Sequence, residues 1–240
     1  MPGPVDVSLV VPVYNERQNL APLMEEIRAA LTGRRYEVVA VNDGSTDGSL
    51  LELKTLKARH PEVHIVSFAA NAGQTAAFAV GFRAARGEVI VTLDADGQND
   101  PADVPALLDA LSASGASAVA GFRTRRQDSA WKRVQSRIAN GVRNRLNRET
   151  IRDTGCSLKA FRASAVRDLP WFTGMHRFLP TLVKMRGGNV IEVPVRHRPR
   201  RGGTTKYGMW NRVFRSLVDA LAVRWMQRRS LRYQITEDLP

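Results

Sequence analysis

The first half of the chain alternates two hydrophobic patterns. Val7–Val13 is a near-continuous apolar, β-branched run and reads as a buried strand. Leu20, Leu23, Ile27 and Leu31 follow at helical spacing, predicting a helix over about Arg17–Leu31. The alternation continues with strands at Tyr36–Val41, Val63–Phe68, Glu88–Leu93 and Ala116–Gly121. Helices are expected between them at Leu50–Arg59, ending before Pro61, at Gln74–Ala85, closed by Gly87, and at Val104–Ala113. Strands separated by helices predict an α/β fold: a mostly parallel sheet with helices on both faces.

The second half is less regular. Trp131–Leu146 reads as a strongly basic helix, and Asp153–Phe161 and Val190–Val195 read as strands with a helix near His176–Lys184 between them. Arg196–Lys206 is a basic, Gly-rich loop. Met209–Gln227 reads as a terminal helix with Trp210, Val213, Phe214, Leu217, Leu221 and Trp225 on one face. Arg212, Arg215 and Asp219 lie opposite, so both a membrane-interfacial helix and a helix packed on the domain fit the pattern.

Polar motifs fall at the ends of three strands: Pro12-Val13-Tyr14-Asn15-Glu16, Asn42-Asp43-Gly44-Ser45 and Asp94-Ala95-Asp96-Gly97-Gln98. In an open parallel sheet, ligands sit outside the carboxyl ends of the strands near the point where strand order reverses. Two carboxylates one residue apart, where a strand breaks, suit Mg²⁺ or Mn²⁺, and Gln98 adds an amide oxygen. An isolated DxD is more often a solvated acidic turn; here two further strand-end motifs accompany it. Asp43 suits hydrogen bonds from a base or ribose, but Asp-Gly-Ser is also ordinary turn chemistry with Asp47 as a helix cap. Glu16 equally suits a helix N-terminus and Tyr14 an aromatic core.

Charge changes the picture more than composition does. The 240 residues carry a formal charge of +13, with 43% apolar and 25% charged residues, which excludes wholesale disorder. Residues 1–120 are net −6 and residues 121–240 net +19. That asymmetry points to an anionic partner for the second half: nucleic acid, an anionic membrane surface or a phosphorylated substrate. The single Cys156 excludes a disulfide framework and a Cys-rich zinc module. The start of the chain lacks a basic signal-peptide n-region, and no run reaches the roughly 18–20 apolar residues of a spanning helix. A peripheral position on the cytoplasmic side of a membrane is therefore expected.

Together, PVYNE, VNDGSTDGS, NAGQTAAFAVG and LDADGQNDP resemble the family 2 glycosyltransferases of GT-A fold. The DADGQ-Asn99-Asp100-Pro101 segment, and Arg200–Tyr207 with its R-x-x-G-x-S-K-like pattern, are similar to the polyprenyl-phosphate (dolichol-phosphate mannose synthase-like) branch. The resemblance covers about residues 7–210. Gly97 departs from that branch's larger apolar residue and Thr205 from its serine, and no Gln-x-x-Arg-Trp motif of processive synthases is present.

The resemblance implies a GT-A catalytic domain over 1–207 and an amphipathic, membrane-interfacial segment over 208–240. It implies that Pro12, Tyr14, Glu16 and Asp43 hold the nucleotide, with Asp94 and Asp96, and that Asp94, Asp96 and Gln98 bind Mg²⁺ or Mn²⁺ and the diphosphate. Arg123, Lys132, Ser136, Arg200 and Lys206 would bind the acceptor phosphate, so Asp94, Asp96, Arg200 and Lys206 would carry catalysis. Asp153 would either touch the sugar or cap its turn. The implied activity is inverting transfer of a sugar from a GDP- or UDP-sugar to a polyprenyl phosphate, without nucleic acid. The implied setting is a membrane surface, with a separate membrane protein or a second copy as further partner. Alternatives are a soluble family 2 enzyme with a saccharide acceptor, a nucleic-acid-binding protein resting on the +19 half, and a non-catalytic scaffold. Strand-end carboxylates, which would repel phosphates, oppose the third reading, and the intact Asp94/Asp96/Gln98 set opposes the fourth.

Overall fold

The computed structural model describes residues 5–124, 141, 145, 149–199 and 209–229, with side chains in the last stretch from Leu217 onward. The basic helix expected at Trp131–Leu146 falls almost wholly outside the described residues, as do Lys132, Ser136, Arg200 and Lys206.

The strands are β1 (Val7–Val13), β2 (Tyr36–Asn42), β3 (Val63–Ser67), β4 (Val89–Thr92), β5 (Ala118–Arg123), β6 (Lys159–Arg162) and β7 (Val190–Val195). The α-helices are α1 (Arg17–Ala30), α2 (Ser49–Arg59), α3 (Gln74–Ala84), α4 (Val104–Ser114), the single turn α5 (Ala163–Val166), α6 (Leu179–Met185) and α7 (Met209–Arg229). The sheet order is β3-β2-β1-β4-β6-β5-β7. β1 pairs in parallel with both β2 and β4, so strand order reverses at β1 and the crevice opens where β1 and β4 end.

The apolar strand runs are buried on both sides because helices cover both faces. Leu20, Leu23, Met24 and Ile27 of α1 share one core with Leu53 and Leu56 of α2 and Leu107, Leu108 and Leu111 of α4. Phe78 and Phe82 of α3 lead the other, with Phe161, Phe178 and Leu182. α3 lies so close to β1 that a Cβ on Gly81 would come within 2.2 Å of Val10 Cγ1.

The sheet is mostly parallel, as expected, with β6 running antiparallel to both β4 and β5. One expectation is corrected. The strand expected over Asp153–Phe161 is a strand only from Lys159. The preceding stretch is a turn, in which Cys156 N–H donates to the Asp153 carbonyl at 3.2 Å and the Asp153 side chain is drawn into an ion pair. Burial is not strand: Cys156 and Leu158 are as buried as the strand itself, and the apolar pattern does not separate the two.

Candidate functional site

The loops after β1 and β2 are tied to one another. Asn15, in the left-handed region at φ 55°, donates its N–H to Ser45 Oγ at 3.0 Å and accepts from Thr46 N–H at 2.8 Å. The N-cap position of α2 is Gly48 and not the expected Asp47, which precedes it; Asp47 accepts from Ser49 N–H at 2.9 Å and from Arg17 N–H at 3.1 Å, joining the starts of α2 and α1. Burial opposes ionisation of Asp47, but these hydrogen bonds outweigh it and lower its pKa. Glu16 stands at the start of α1, and its carboxylate accepts from Asn19 Nδ2 at 2.6 Å, matching the helix-terminus reading. Tyr14 and Pro12 are partly exposed at the end of β1, facing the crevice end of the sheet.

Asp43 is buried, and its carboxylate grips the loop before α3. It accepts from Ala72 N–H at 2.6 Å, Gly73 N–H at 3.0 Å and Asn71 Nδ2 at 2.9 Å. The loop comes so near that a Cβ on Gly44, itself at φ +65°, would meet the Ala70 carbonyl carbon at 2.4 Å. Asp43 is therefore first a loop anchor, with limited lone-pair capacity left for a nucleotide.

The anchored loop delivers Gln74, the first residue of α3, to the paired aspartates: Gln74 Nε2 donates to Asp94 Oδ1 at 2.7 Å. Asp96 turns back to accept from Gln98 N–H at 3.1 Å, and Gly97 permits this turn at φ +74°. Burial, and next the charge of Asp96, push the Asp94 carboxyl up to about 6, against hydrogen bonding from Ser157 and attraction by Lys159 and Arg123. Two close carboxylates under-compensated by their cations form a donor set that suits a divalent ion. Among the described residues no cluster of three or more His, Cys, Asp or Glu could hold a metal. Two protein oxygens, with the rest from phosphate and water, is the usual arrangement for Mg²⁺. Asp94 and Asp96 fit that role.

Beside them lie two basic groups, Lys159 buried and Arg123 partly so. Lys159 Nζ donates to the Cys156 carbonyl oxygen, and burial lowers its pKa. Arg123 forks onto Asp153, with Nε at 2.6 Å from Oδ2 and Nη2 at 2.9 Å from Oδ1, while its Nη1 lies 3.5 Å from His197 Nε2. Arg123 thus reaches the site already paired, and Asp153 serves it in place of a free turn cap. His176 is pushed down to about 3 by burial first, then by the nearby Arg177 and Lys159. It stays neutral against Thr75 Oγ1 at 2.8 Å.

The segment preceding Arg200 is sewn onto the segment following Asp96. His197 bridges Asn99, and Arg198 N–H donates to the Gln98 carbonyl at 2.9 Å. Arg196 pairs with Asp103 at 2.9 Å and with Asp100 at 3.2 Å, and Arg198 pairs with Asp100 at 2.7 Å and Glu26 at 2.8 Å. The basic loop thus starts beside the aspartate motif. Arg200 itself lies outside the described residues, one peptide beyond this fixed segment.

α7 packs on the domain along one face and leaves apolar side chains exposed on another. Ala220 and Val223 are buried in the core formed by α3 and α6, while Leu217, Val218, Leu221 and Trp225 are exposed, Trp225 by 63%. Among the described residues no helix is long and apolar enough to cross a membrane.

Sequence reasoning missed Gln74, Ser157, Asp100 and Arg198. Gln74 and Asp100 stand inside motifs quoted above, but their partners are remote in sequence, and only the fold brings them together.

A carboxylate pair at the reversal point of a mostly parallel sheet, flanked by a basic segment, is the layout of a nucleotide-sugar transferase. Residues 8–169 match the family described as Glycosyl transferase family 2. The chain is 36% identical over 230 residues to a dodecaprenyl-phosphate galacturonate synthase from Rhizobium johnstonii, covering 93% of this chain and 68% of that protein. It is 38% identical over 210 residues to an undecaprenyl-phosphate 4-deoxy-4-formamido-L-arabinose transferase from Pseudomonas aeruginosa, covering 86% of this chain and 62% of that one. The chain therefore belongs to glycosyl transferase family 2, while spanning about two thirds of the length of these relatives.

Solved structures agree on the GT-A fold. A mannosyltransferase from Pyrobaculum calidifontis, in complex with GDP-Man and Mn²⁺, superposes with a TM-score of 0.65 at 21% identity, over 95% of this chain and 65% of that one. Glucosyl-3-phosphoglycerate synthase from Mycobacterium tuberculosis, with Mn²⁺, UDP and phosphoglyceric acid, superposes at 0.70 and 18% identity, over 93% and 78%.

Proposed function

We propose that this chain transfers a sugar from a nucleotide diphosphate sugar to a polyprenyl phosphate, at the cytoplasmic face of a membrane to which it binds peripherally. The observation that carries the reading is the stitching of His197 and Arg198 onto Gln98–Asp100, which sets the start of a basic loop beside the paired aspartates. The relatives named above act on dodecaprenyl and undecaprenyl phosphates, which favours a lipid phosphate over a saccharide acceptor.

The charge distribution follows from that chemistry. A phosphate monoester has a second pKa near ~6 and is largely dianionic at neutral pH, so it needs no strong general base as nucleophile. It needs positioning, and enough positive charge for two anions to approach. Arg200 and Lys206 supply that charge to the acceptor, helped by Arg123 through its Nη1 and by Lys132 with Ser136. Asp94, Asp96 and Gln98 hold Mg²⁺ or Mn²⁺, which supplies Lewis-acid stabilisation of the departing diphosphate. Pro12, Tyr14, Glu16 and Asp43 form the nucleotide end, where Asp43 acts through the loop it anchors as well as by direct contact. Displacement is in line and inverting.

The catalytic domain extends over 1–207 and the interfacial segment over 208–240, with the exposed Leu217, Val218, Leu221 and Trp225 facing lipid. Arg228 and Arg229 follow at the helix end to meet anionic headgroups. A second copy or a separate membrane protein is the further partner this face suits. The test is incubation with UDP- and GDP-sugars, Mn²⁺ and undecaprenyl phosphate. Product that needs the lipid phosphate supports the reading, and transfer to free saccharides without it refutes it.

A further inference from the structure

We propose that Gln74 is a positioning residue that aims the Asp94 carboxylate at the cation, acting from the start of α3. The inference rests on the reading of Asp94 and Asp96 as the cation site.

Gln74 arrives from a fixed point. Its preceding residues are clamped by Asp43. Its successor Thr75 accepts from Gly174 N–H at 3.0 Å while contacting His176. Between these anchors the Gln74 amide reaches Asp94 Oδ1 at 2.7 Å. An amide NH₂ gives up no proton and cannot compete as an anionic metal ligand, so the contact orients the carboxylate without neutralising it.

The surroundings of the aspartate are fixed as well. Asn99 Nδ2 donates to Ser157 Oγ at 2.6 Å. Thr92 Oγ1 donates to the Ser157 carbonyl, fixing that backbone against β4, two residues before Asp94. The hydrogen bond donated by Gln74 sets the carboxylate's orientation, leaving its remaining lone pairs for the ion. The same Asn99 sits in the bridge to His197, so one side chain serves both halves of the crevice.

The experiment measures Mn²⁺ affinity of the full chain with saturating UDP or GDP, by calorimetry or by the Mn²⁺ resonance signal, without lipid acceptor. Gln74→Ala should weaken Mn²⁺ binding about 10-fold, the range of loss expected for a group that orients a metal ligand. In turnover this variant should lower kcat while leaving KM for the lipid phosphate unchanged. Asp94→Ala is the control. If it loses Mn²⁺ while Gln74→Ala keeps wild-type affinity, the proposal is overturned and the cation site stands. If Asp94→Ala also keeps wild-type affinity, the cation site and the proposal fall together. Because no lipid enters the binding measurement, failure of the acceptor assignment alone leaves its result unaffected.

Discussion

Arg198 Nη2 lies 2.7 Å from Asp100 Oδ1, and this ion pair fastens the approach to the basic loop to the segment that leaves the paired aspartates. Asp100 is buried and shared, since Arg196 reaches its Oδ2 at 3.2 Å and Ala102 N–H also donates to its Oδ1 at 3.0 Å. One carboxylate with two guanidinium partners fixes a chain direction more firmly than an exposed pair does.

Asp100→Asn keeps the shape and removes the charge. The expected result is a rise of roughly 3- to 10-fold in KM for the lipid phosphate, the scale of one weakened charge-assisted hydrogen bond. Nucleotide affinity, measured by calorimetry with UDP and Mn²⁺, should hold. Equal weakening of both would place Asp100 in the donor site.

Asp96→Ala removes one of the two carboxylates proposed to hold the cation. Turnover should fall at least about 100-fold, as when a main stabiliser of developing charge is lost. The measurement is product formation across a Mn²⁺ titration, in which the variant should gain little from added metal.

The pH behaviour follows from Asp94. Its carboxyl is raised from 3.8 to about 6, so ionising it in the folded, metal-free protein costs stability. The sign is that of a raised acid: the cost is absent below pH 4, grows between pH 4 and 6, and is complete above 6. Asp94→Asn should therefore melt higher than the wild type at pH 7.5 without metal, by roughly 2–4 °C if the relief is about 1 kcal/mol. The difference should vanish towards pH 4. For the wild type, Mn²⁺ with UDP should raise the melting temperature more at pH 7.5 than at pH 5.5, because protons compete with the ion for the same carboxylate.

The terminal helix has two faces that respond differently. Leu221→Ser with Trp225→Ser should weaken sedimentation with phosphatidylglycerol vesicles by about 10-fold or more, given roughly 25 cal/mol per Å² of apolar area withdrawn from lipid. The melting temperature should hardly move. Val223→Asp should instead destabilise the fold, because Val223 is fully buried. Deleting residues 209–240 would mix the two effects, since the helix is also part of the core. Unchanged vesicle binding by the double serine variant would contradict an interfacial role.

Much of this architecture was legible in the sequence. The strands β1 to β4 and their helices follow from apolar runs and helical spacing, and the Asp94-x-Asp96 pair announces itself by breaking a strand. What the sequence concealed has a common physical cause. β6 is antiparallel because of where the chain returns, which no local pattern encodes. Gln74 and Ser157 are small or neutral polar residues whose meaning comes from partners 20 and 58 positions away. Asp43 looks like a nucleotide ligand in its motif, and only the close approach of residues 70–73 at Gly44 reveals its work as a loop anchor. The apolar face of α7 was visible, but not the division between Val223, which packs inward, and Trp225, which faces out.

The central claim is that a cation-binding carboxylate pair and a basic, phosphate-binding loop work on one reaction in one crevice. The most direct measurement is the steady-state rate of Arg200→Ala and Lys206→Ala against separately varied nucleotide sugar and undecaprenyl phosphate, with Mn²⁺ present. The account predicts that each variant raises KM for the lipid phosphate or lowers kcat, while nucleotide affinity stays within about twofold of the wild type, under ~0.5 kcal/mol. Loss of nucleotide affinity in step with loss of acceptor use would contradict it.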